Sequence, residues 1–115
     1  MKPAPRRARP QPERVLGLLG LGQRARALAV GVEPVRAGLR SDRIHCLVVA
    51  GDASPRTHDK VVRLANARRV PLIPGPSAEA IGARLGRPAV QVVGVLDRAL
   101  AAGILGAGEM ALTED

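Results

Sequence analysis

The residues able to make or break bonds are few. His45, Cys46 and His58 are the strong nitrogen and sulfur ligands of the chain. Structural zinc sites take four ligands at short recurring spacings, and these three match no such pattern. His45 and Cys46 are neighbours in a run of strand character, so their side chains point to opposite faces. No metal or other cofactor is expected. A cysteine nucleophile needs an aligned base and a lowered pKa, and a lone cysteine in an apolar strand is normally inert. Asp52 follows the best strand of the chain, where α/β enzymes often hold a functional carboxylate. The same position suits a turn aspartate that accepts from nearby backbone N–H groups, and that reading is preferred. Without an acid–base pair or an activated nucleophile, the chain reads as a binding protein and not an enzyme.

Two glycine-bearing stretches invite a phosphate reading. In LGLLGLGQRARA, Gly17, Gly20 and Gly22 run in the reverse of the dinucleotide-binding order, with no convincing strand before them and no spaced acid after them. Close packing of a small-residue helix against a sheet explains them better. The second stretch is GVEPVRAGLRSDR, Gly31 to Arg43. There Gly31 leads a helix start that includes Val32 and Glu33. A glycine at that point lets a nucleic-acid backbone approach closely, and free N–H groups at the start of a helix favour phosphate. Arg36 and Arg40 lie four apart on one face of the helix, and Arg87 stands in a later loop. Either these arginines contact RNA, or they are solvated, with Arg36 or Arg40 paired to Glu33.

Charge supports the first choice. There are 18 Lys+Arg against 10 Asp+Glu, a formal charge of +8, and the only lysines are Lys2 and Lys60. Such a chain attracts polyanions by steering and counterion release. Phe, Trp and Tyr are all absent, which disfavours modules that stack bases on a sheet, such as RRM and cold-shock folds. What remains is backbone recognition with aliphatic packing against a splayed base, a chemistry suited to structured RNA with an unstacked bulge.

These residues need elements to hold them. A length of 115 residues favours one domain. Residues 1–12 (MKPAPRRARPQP) form an expected disordered basic arm, either a phosphate contact or a solubilising tail. Residues 13–105 form the expected domain, and residues 106–115 an expected flexible tail. Within the domain, helix and strand alternate. A helix is expected over Glu13–Ala27, a short strand over Ala27–Val30, and a helix from near Val32 with Pro34 in its first turn. IHCLVVA, Ile44 to Ala50, is the best strand. Ser54 and Pro55 open a helix to about Arg68. Val70–Ile73 is an expected strand before a PGP turn, and Ser77 caps a helix that stops at Gly86. Val90–Leu96 is the last strand and Arg98–Leu105 the last helix. The pattern predicts an α/β fold, with a sheet covered by helices on both faces. No apolar run is long enough to span a membrane, no secretory leader is visible, and one cysteine allows no internal disulfide, so a cytoplasmic location without membrane contact is expected.

Taken together, GVEPVRAGLRSDRIHCLVVAGDASPRTHDKV, VPLIPG, SAEAIGARLGRPAV and VQVVGVLDRALAAGIL resemble, in order and spacing, the kink-turn-binding ribosomal proteins of the L7Ae and L30e type, its bacterial YlxQ-like members above all. The resemblance covers Val15 to Leu105. It implies a three-layer α-β-α sandwich with a four-stranded mixed sheet flanked by about five helices. It also implies an RNA surface made by the start of the second helix and the loop before the last strand. The family pattern at that helix start is Gly-x-Asn-Glu with a Lys three after the Glu. Gly31 matches the glycine, while Glu33, Pro34 and Ala37 stand at the Asn, Glu and Lys positions. The apolar loop that covers a flipped base maps to Arg87, Pro88, Ala89 and Val90, of which Ala89 and Val90 are apolar. Glu33 either accepts from a base amine or simply complements the helix dipole.

The leading expectation is an RNA-binding, ribosomal-protein-like domain that docks a kink-turn or bulged helix. Gly31, Val32, Glu33, Arg36, Arg40, Arg87, Ala89 and Val90 are its expected contact residues. Ribosomal RNA or another structured RNA is the expected partner, with the ribosome or transcription and translation factors as further partners. The alternative is a protein-interaction module of the same fold, its arginines facing an acidic protein.

Overall fold

The computed structural model describes residues 12–109. Five helices and four strands alternate along them: α1 (Pro12–Arg24), β1 (Leu28–Val30), α2 (Val32–Arg40), β2 (Cys46–Ala50), α3 (Pro55–Ala67), β3 (Leu72–Gly75), α4 (Ala78–Leu85), β4 (Val92–Val95) and α5 (Arg98–Glu109). The strands form one mixed sheet in the order β1-β4-β2-β3. β4 is antiparallel to both β1 and β2, while β3 is parallel to β2.

The two periodicities of the sequence build the layers. Along β2, Cys46, Val48 and Ala50 face one side of the sheet with Val15 and Leu19 of α1, Ile81 and Leu85 of α4, and Ile104 of α5. Leu47 and Val49 face the other side with Val35 and Leu39 of α2 and Val61 and Ala65 of α3. Alternation on the strand and three- or four-residue spacing on each helix therefore produce a three-layer α-β-α sandwich with aliphatic cores on both faces. Ile44 is buried between α2 and β4, where a methyl on Gly38 or Gly94 would come within 2.8 or 2.5 Å of its Cδ1. The glycines of α1 divide. A methyl on Gly22 would meet Leu100 Cδ2 at 2.6 Å and Leu28 Cδ2 at 2.8 Å, one on Gly20 would touch Arg84 Cδ at 3.4 Å, and Gly17 faces open space. Close packing thus accounts for Gly22 and leaves Gly17 unexplained.

Local stop and start signals act as their chemistry dictates. Ser54 Oγ accepts from the N–H of Thr57 at 3.1 Å and opens α3. Ser77 Oγ accepts from the N–H of Ala80 at 3.1 Å and opens α4. Gly86, at φ 72, ends α4 in the left-handed conformation.

Several boundaries differ from the sequence expectation. α1 stops at Arg24 and not Ala27, ahead of Arg26 at φ 57, and β2 begins at Cys46 and not Ile44. β3 lies two residues later than Val70–Ile73, because parallel pairing with β2 sets Val49 opposite Pro74 and Ala50 opposite Gly75. Pro74 is tolerated there because β3 is an edge strand whose outer side needs no N–H donor. β4 begins at Val92, since the N–H of Val90 is committed to Ala78 O at 2.9 Å. α5 runs on to Glu109, and Ala107, 1% exposed, joins the core. The expected tail therefore starts later than Gly106, and residues 110–115 lie outside the described residues. So does the expected basic arm, apart from Pro12, which opens α1.

Candidate functional site

Sheet topology gathers helix starts at one end of the molecule. β1, β2 and β3 run in one sense and β4 in the other, so the first three end together, and α2, α3 and α4 begin there. β4 enters the sheet at this end. Helix amino ends carry unpaired N–H donors and a positive partial charge. Two of the three ends are already occupied. Ser54 caps α3, and the N–H of Ser54 itself donates to Gln91 Oε1 at 2.7 Å. Ser77 caps α4, and Asp52 Oδ1 accepts from the N–H of Ala78 at 2.8 Å. Asp52 is thus a loop carboxylate satisfied by a backbone donor.

α2 is different. Its cap residue, Gly31, supplies no side chain, and the N–H groups of Val32 and Glu33 have no acceptor among the described residues. Gly31 stands at φ 102 and ψ 166, a backbone region open essentially to glycine alone. Its N–H donates to Val92 O at 3.0 Å, and its carbonyl accepts from the N–H of Val35 at 3.1 Å. These two bonds fix the start of α2 against the first residue of β4. Glu33 and Pro34 beside it are exposed.

The loop before β4 reaches the same place by a fold-back. After Gly86 the N–H of Arg87 donates to Gly82 O at 2.8 Å, and the chain then runs back along α4 until the N–H of Val90 reaches Ala78 O. Arg87, Pro88 and Ala89 are exposed, while Val90 is 6% exposed and packs in the core. Ala89 is therefore the apolar group that this loop presents to solvent, with Val90 beneath it.

The arginines do not share one surface. Arg36 and Arg40 line a cleft of about 430 Å³ between α2 and α3, together with Asp59, Lys60, Arg63, Leu64 and Ala67. Arg87 lies at the carboxyl end of α4, on the opposite layer of the sandwich. A guanidinium nitrogen of Arg36 sits 3.7 Å from Glu33 Oε2, a long, solvent-facing pair of the kind that contributes about 0–1 kcal/mol. Arg36 Nε is buried without a hydrogen-bond partner. The expected residues thus form a helix-start group (Gly31, Val32, Glu33) next to the end of the β4 loop (Ala89, Val90), a cleft pair (Arg36, Arg40), and an outlying Arg87.

Sequence reasoning missed Gly82 and Gln91. Gly82 is the one glycine inside α4, and a helix-interior glycine costs about 1 kcal/mol unless packing requires it. Gln91 is a polar residue in the apolar run VQVVGVL, a signal that a side chain has a specific partner. Lys60 and Arg63 were legible as exposed positions of α3, but not as neighbours of Arg36.

Cys46 has no part in this site. It is a buried free thiol whose pKa is pushed up from its ordinary 9.0 to about 12 by burial. Because the folded state holds the proton more tightly, this group's contribution to stability is present below pH 9 and is lost as the pH rises toward 12. At about pH 8 the folded protein is expected to leave an aromatic disulfide reagent unreacted over minutes, and the denatured protein to consume one equivalent at once. Prompt labelling of the folded protein would show that β2 is open to solvent. His45 is half-buried and His58 exposed. Among the described residues no three His, Cys, Asp or Glu side chains gather as metal ligands, and no helix is long and apolar enough to cross a membrane.

Comparison with known proteins agrees with this architecture. The family model described as "Ribosomal protein L7Ae/L30e/S12e/Gadd45 family" matches residues 13–102. The RNA-binding protein YlxQ of Bacillus subtilis is 34% identical over 84 residues, which cover 73% of this chain and 84% of that protein. A solved protein of unknown function from Bacillus halodurans superposes with a TM-score of 0.79 at 24% identity, covering 84% of this chain and 97% of the other. The Giardia lamblia 15.5kD RNA binding protein superposes with a TM-score of 0.74 at 18% identity, covering 86% and 88%. At those identities the two structures speak for the fold alone.

Proposed function

The chain belongs to the ribosomal protein L7Ae/L30e/S12e/Gadd45 family, and from that premise we propose that it binds structured RNA, a kink-turn or a bulged helix, at the start of α2. The observation that carries this reading is the uncapped helix start. Of the three helix starts at that end, α2 alone has no side-chain cap: both Val32 N–H and Glu33 N–H are free for an incoming acceptor, whereas Ser54 and Ser77 leave one first-turn N–H free in each of α3 and α4, those of Arg56 and Glu79. Gly31 lets a sugar–phosphate backbone approach without meeting a side chain. Glu33, on the first turn, accepts from a base amine in the groove. Ala89, supported from below by Val90, offers an apolar contact to an unstacked base, while Arg87, at the far end of α4, stands apart from this contact. Arg36 and Arg40 hold the phosphates that follow along α2.

The printed name of the Bacillus subtilis relative, an RNA-binding protein, supports RNA as the partner class. Ribosomal or other structured RNA, in a ribosome or translation setting, is the natural ligand under this reading, and the unit from α1 to the end of α5 carries it. Base discrimination here differs from the usual family pattern, because Glu33, Pro34 and Ala37 replace the Asn, Glu and Lys expected at those positions.

The test is the double variant Arg36→Ala plus Arg40→Ala, titrated against a bulged or kink-turn RNA over a range of salt. Removing one arginine–phosphate bond is expected to flatten the slope of log affinity against log salt by roughly 1, so the pair gives a change of about 2. An unchanged affinity and slope would remove both residues from the RNA surface.

A further inference from the structure

The α2–α3 cleft holds more positive charge than the RNA reading above uses. It brings Lys60 and Arg63 of α3 opposite Arg36 and Arg40 of α2, four cations against the single carboxylate of Asp59. Among the described residues the ion pairs are Arg36–Glu33 and Arg68–Asp42, so Arg40, Lys60 and Arg63 have no carboxylate within 4.0 Å. Four like charges along one open cleft repel one another, and a sequence under no other constraint would disperse them. Arg36 adds a second sign of an unfilled role. Its Nε is buried and unsatisfied, and its one partner is a long contact to Glu33. A buried donor left unpaired is costly, so a small rotation toward an anion in the cleft is favoured.

We propose that this cleft is a second phosphate-binding track, which grips the backbone of an RNA helix running on from the site at Gly31. The inference rests on the RNA reading above and adds Lys60 and Arg63 to it. Three observations favour a nucleic-acid backbone as occupant. Arg36 and Arg40 are spaced by four residues on a helix, about 6 Å along its axis, which suits successive phosphates of one strand. The first residue of the cleft, Arg36, stands five residues after Gly31 on the same helix, about 7.5 Å along its axis, so a strand docked at the helix start can run on into the cleft. Its apolar lining, Leu64 and Ala67, offers no aromatic platform for bases. A track of this kind reads charge and spacing and not sequence, so it lengthens the RNA footprint without changing which bend or bulge is chosen.

The test compares the wild-type chain with Lys60→Ala plus Arg63→Ala. Both residues are exposed, so the fold is expected to persist, which a thermal melt checks. Each protein is titrated at several salt concentrations against two labelled hairpins with the same bulge, one with a long flanking helix and one with that helix cut back. On the long hairpin the variant is expected to bind about tenfold more weakly near 0.1 M salt, with a slope flatter by roughly 2. On the short hairpin the two proteins are expected to bind alike. Lys60→Arg plus Arg63→Lys, which keeps the charge, is expected to restore the long-hairpin affinity and slope. Equal slopes for wild type and the alanine variant on the long hairpin would overturn the track while leaving the site at Gly31 intact. Failure of the wild type to bind either hairpin would overturn both. Polyglutamate is run as a third ligand. If the alanine variant loses polyglutamate binding yet keeps its long-hairpin slope, the cleft serves an acidic protein and the proposal is wrong.

Discussion

Gly82→Ala is expected to destabilise the domain by about 3 kcal/mol and to displace the loop that carries Arg87 and Ala89. Two effects oppose each other at this position. Alanine in place of glycine inside a helix gains about 1 kcal/mol in helix propensity. The added methyl, however, would stand 2.1 Å from Pro88 O, 2.7 Å from Pro88 C and 2.9 Å from Arg87 O. These are backbone atoms, and no rotamer change moves them out of the way. Either α4 shifts off the sheet, which uncovers Ile81 and Leu85, or residues 87–90 lift away and break the bonds from Arg87 N–H to Gly82 O and from Val90 N–H to Ala78 O. For a domain of this size, about 3 kcal/mol lowers the melting temperature on the order of 10 °C or more. RNA affinity is expected to fall as well, even well below the melting temperature, because Ala89 would no longer flank the start of α2. A thermal melt and an RNA titration of the variant check both parts. A variant that melts higher than the wild type would mean that propensity wins and that the fold-back along α4 is loose.

Gly31→Val is the second large effect, and it arises without any clash. The nearest atom to a methyl on Gly31 is Pro34 Cδ at 3.8 Å, an ordinary contact. The cost is conformational, because φ 102 with ψ 166 is essentially closed to residues with a Cβ, and a β-branched one fares worst. A cost of roughly 2–3 kcal/mol is expected if the backbone holds its shape. If it relaxes, the bond from Gly31 N–H to Val92 O goes and the N–H groups of Val32 and Glu33 turn away from solvent. Binding of structured RNA is then expected to drop at least tenfold. A chemically synthesised chain with D-alanine at position 31 separates the two causes, since a D-residue accepts positive φ. It is expected to recover stability but not full binding, because its methyl still stands where the RNA backbone approaches Gly31. Full recovery of binding with D-alanine would show that strain alone causes the loss and that no RNA backbone comes close to position 31.

The parts of the fold that were legible in the sequence are those decided within a few residues. Ser54 and Ser77 before helical stripes, Gly86 after one, and the apolar run Ile44–Ala50 each carry their own local physics; the caps stand where that physics puts them, and the strand forms within its run, from Cys46 on. What depends on a distant partner was not legible. The register of β3 is set by β2, so the strand takes in Pro74, a residue that local rules assign to a turn. Val90 looks like a strand residue until α4 claims its N–H, and Ala107 looks like a tail until α5 brings it under the core. The site followed the same division. Gly31 was legible, because a glycine ahead of an amphipathic helix has a local meaning. The separation of Arg36 and Arg40 from Arg87 was not, because it follows from α2 and α4 covering opposite faces of the sheet. The pairing of Arg36 with Lys60 and Arg63 across a cleft follows likewise from α2 packing beside α3.

The start of α2 as a docking point for bent or bulged RNA is tested most directly by one titration of the unmodified chain. Fluorescently labelled kink-turn RNA, a bulged hairpin and an uninterrupted duplex of equal length are each titrated at two salt concentrations. The label belongs on the RNA, since the protein has neither Trp nor Tyr. Tighter binding of the kink-turn or the bulged hairpin than of the duplex, by about tenfold or more and with the gap preserved at the higher salt, is the predicted result. Equal affinity for all three, lost in parallel as salt rises, would contradict it and leave only the attraction of a basic protein for any polyanion.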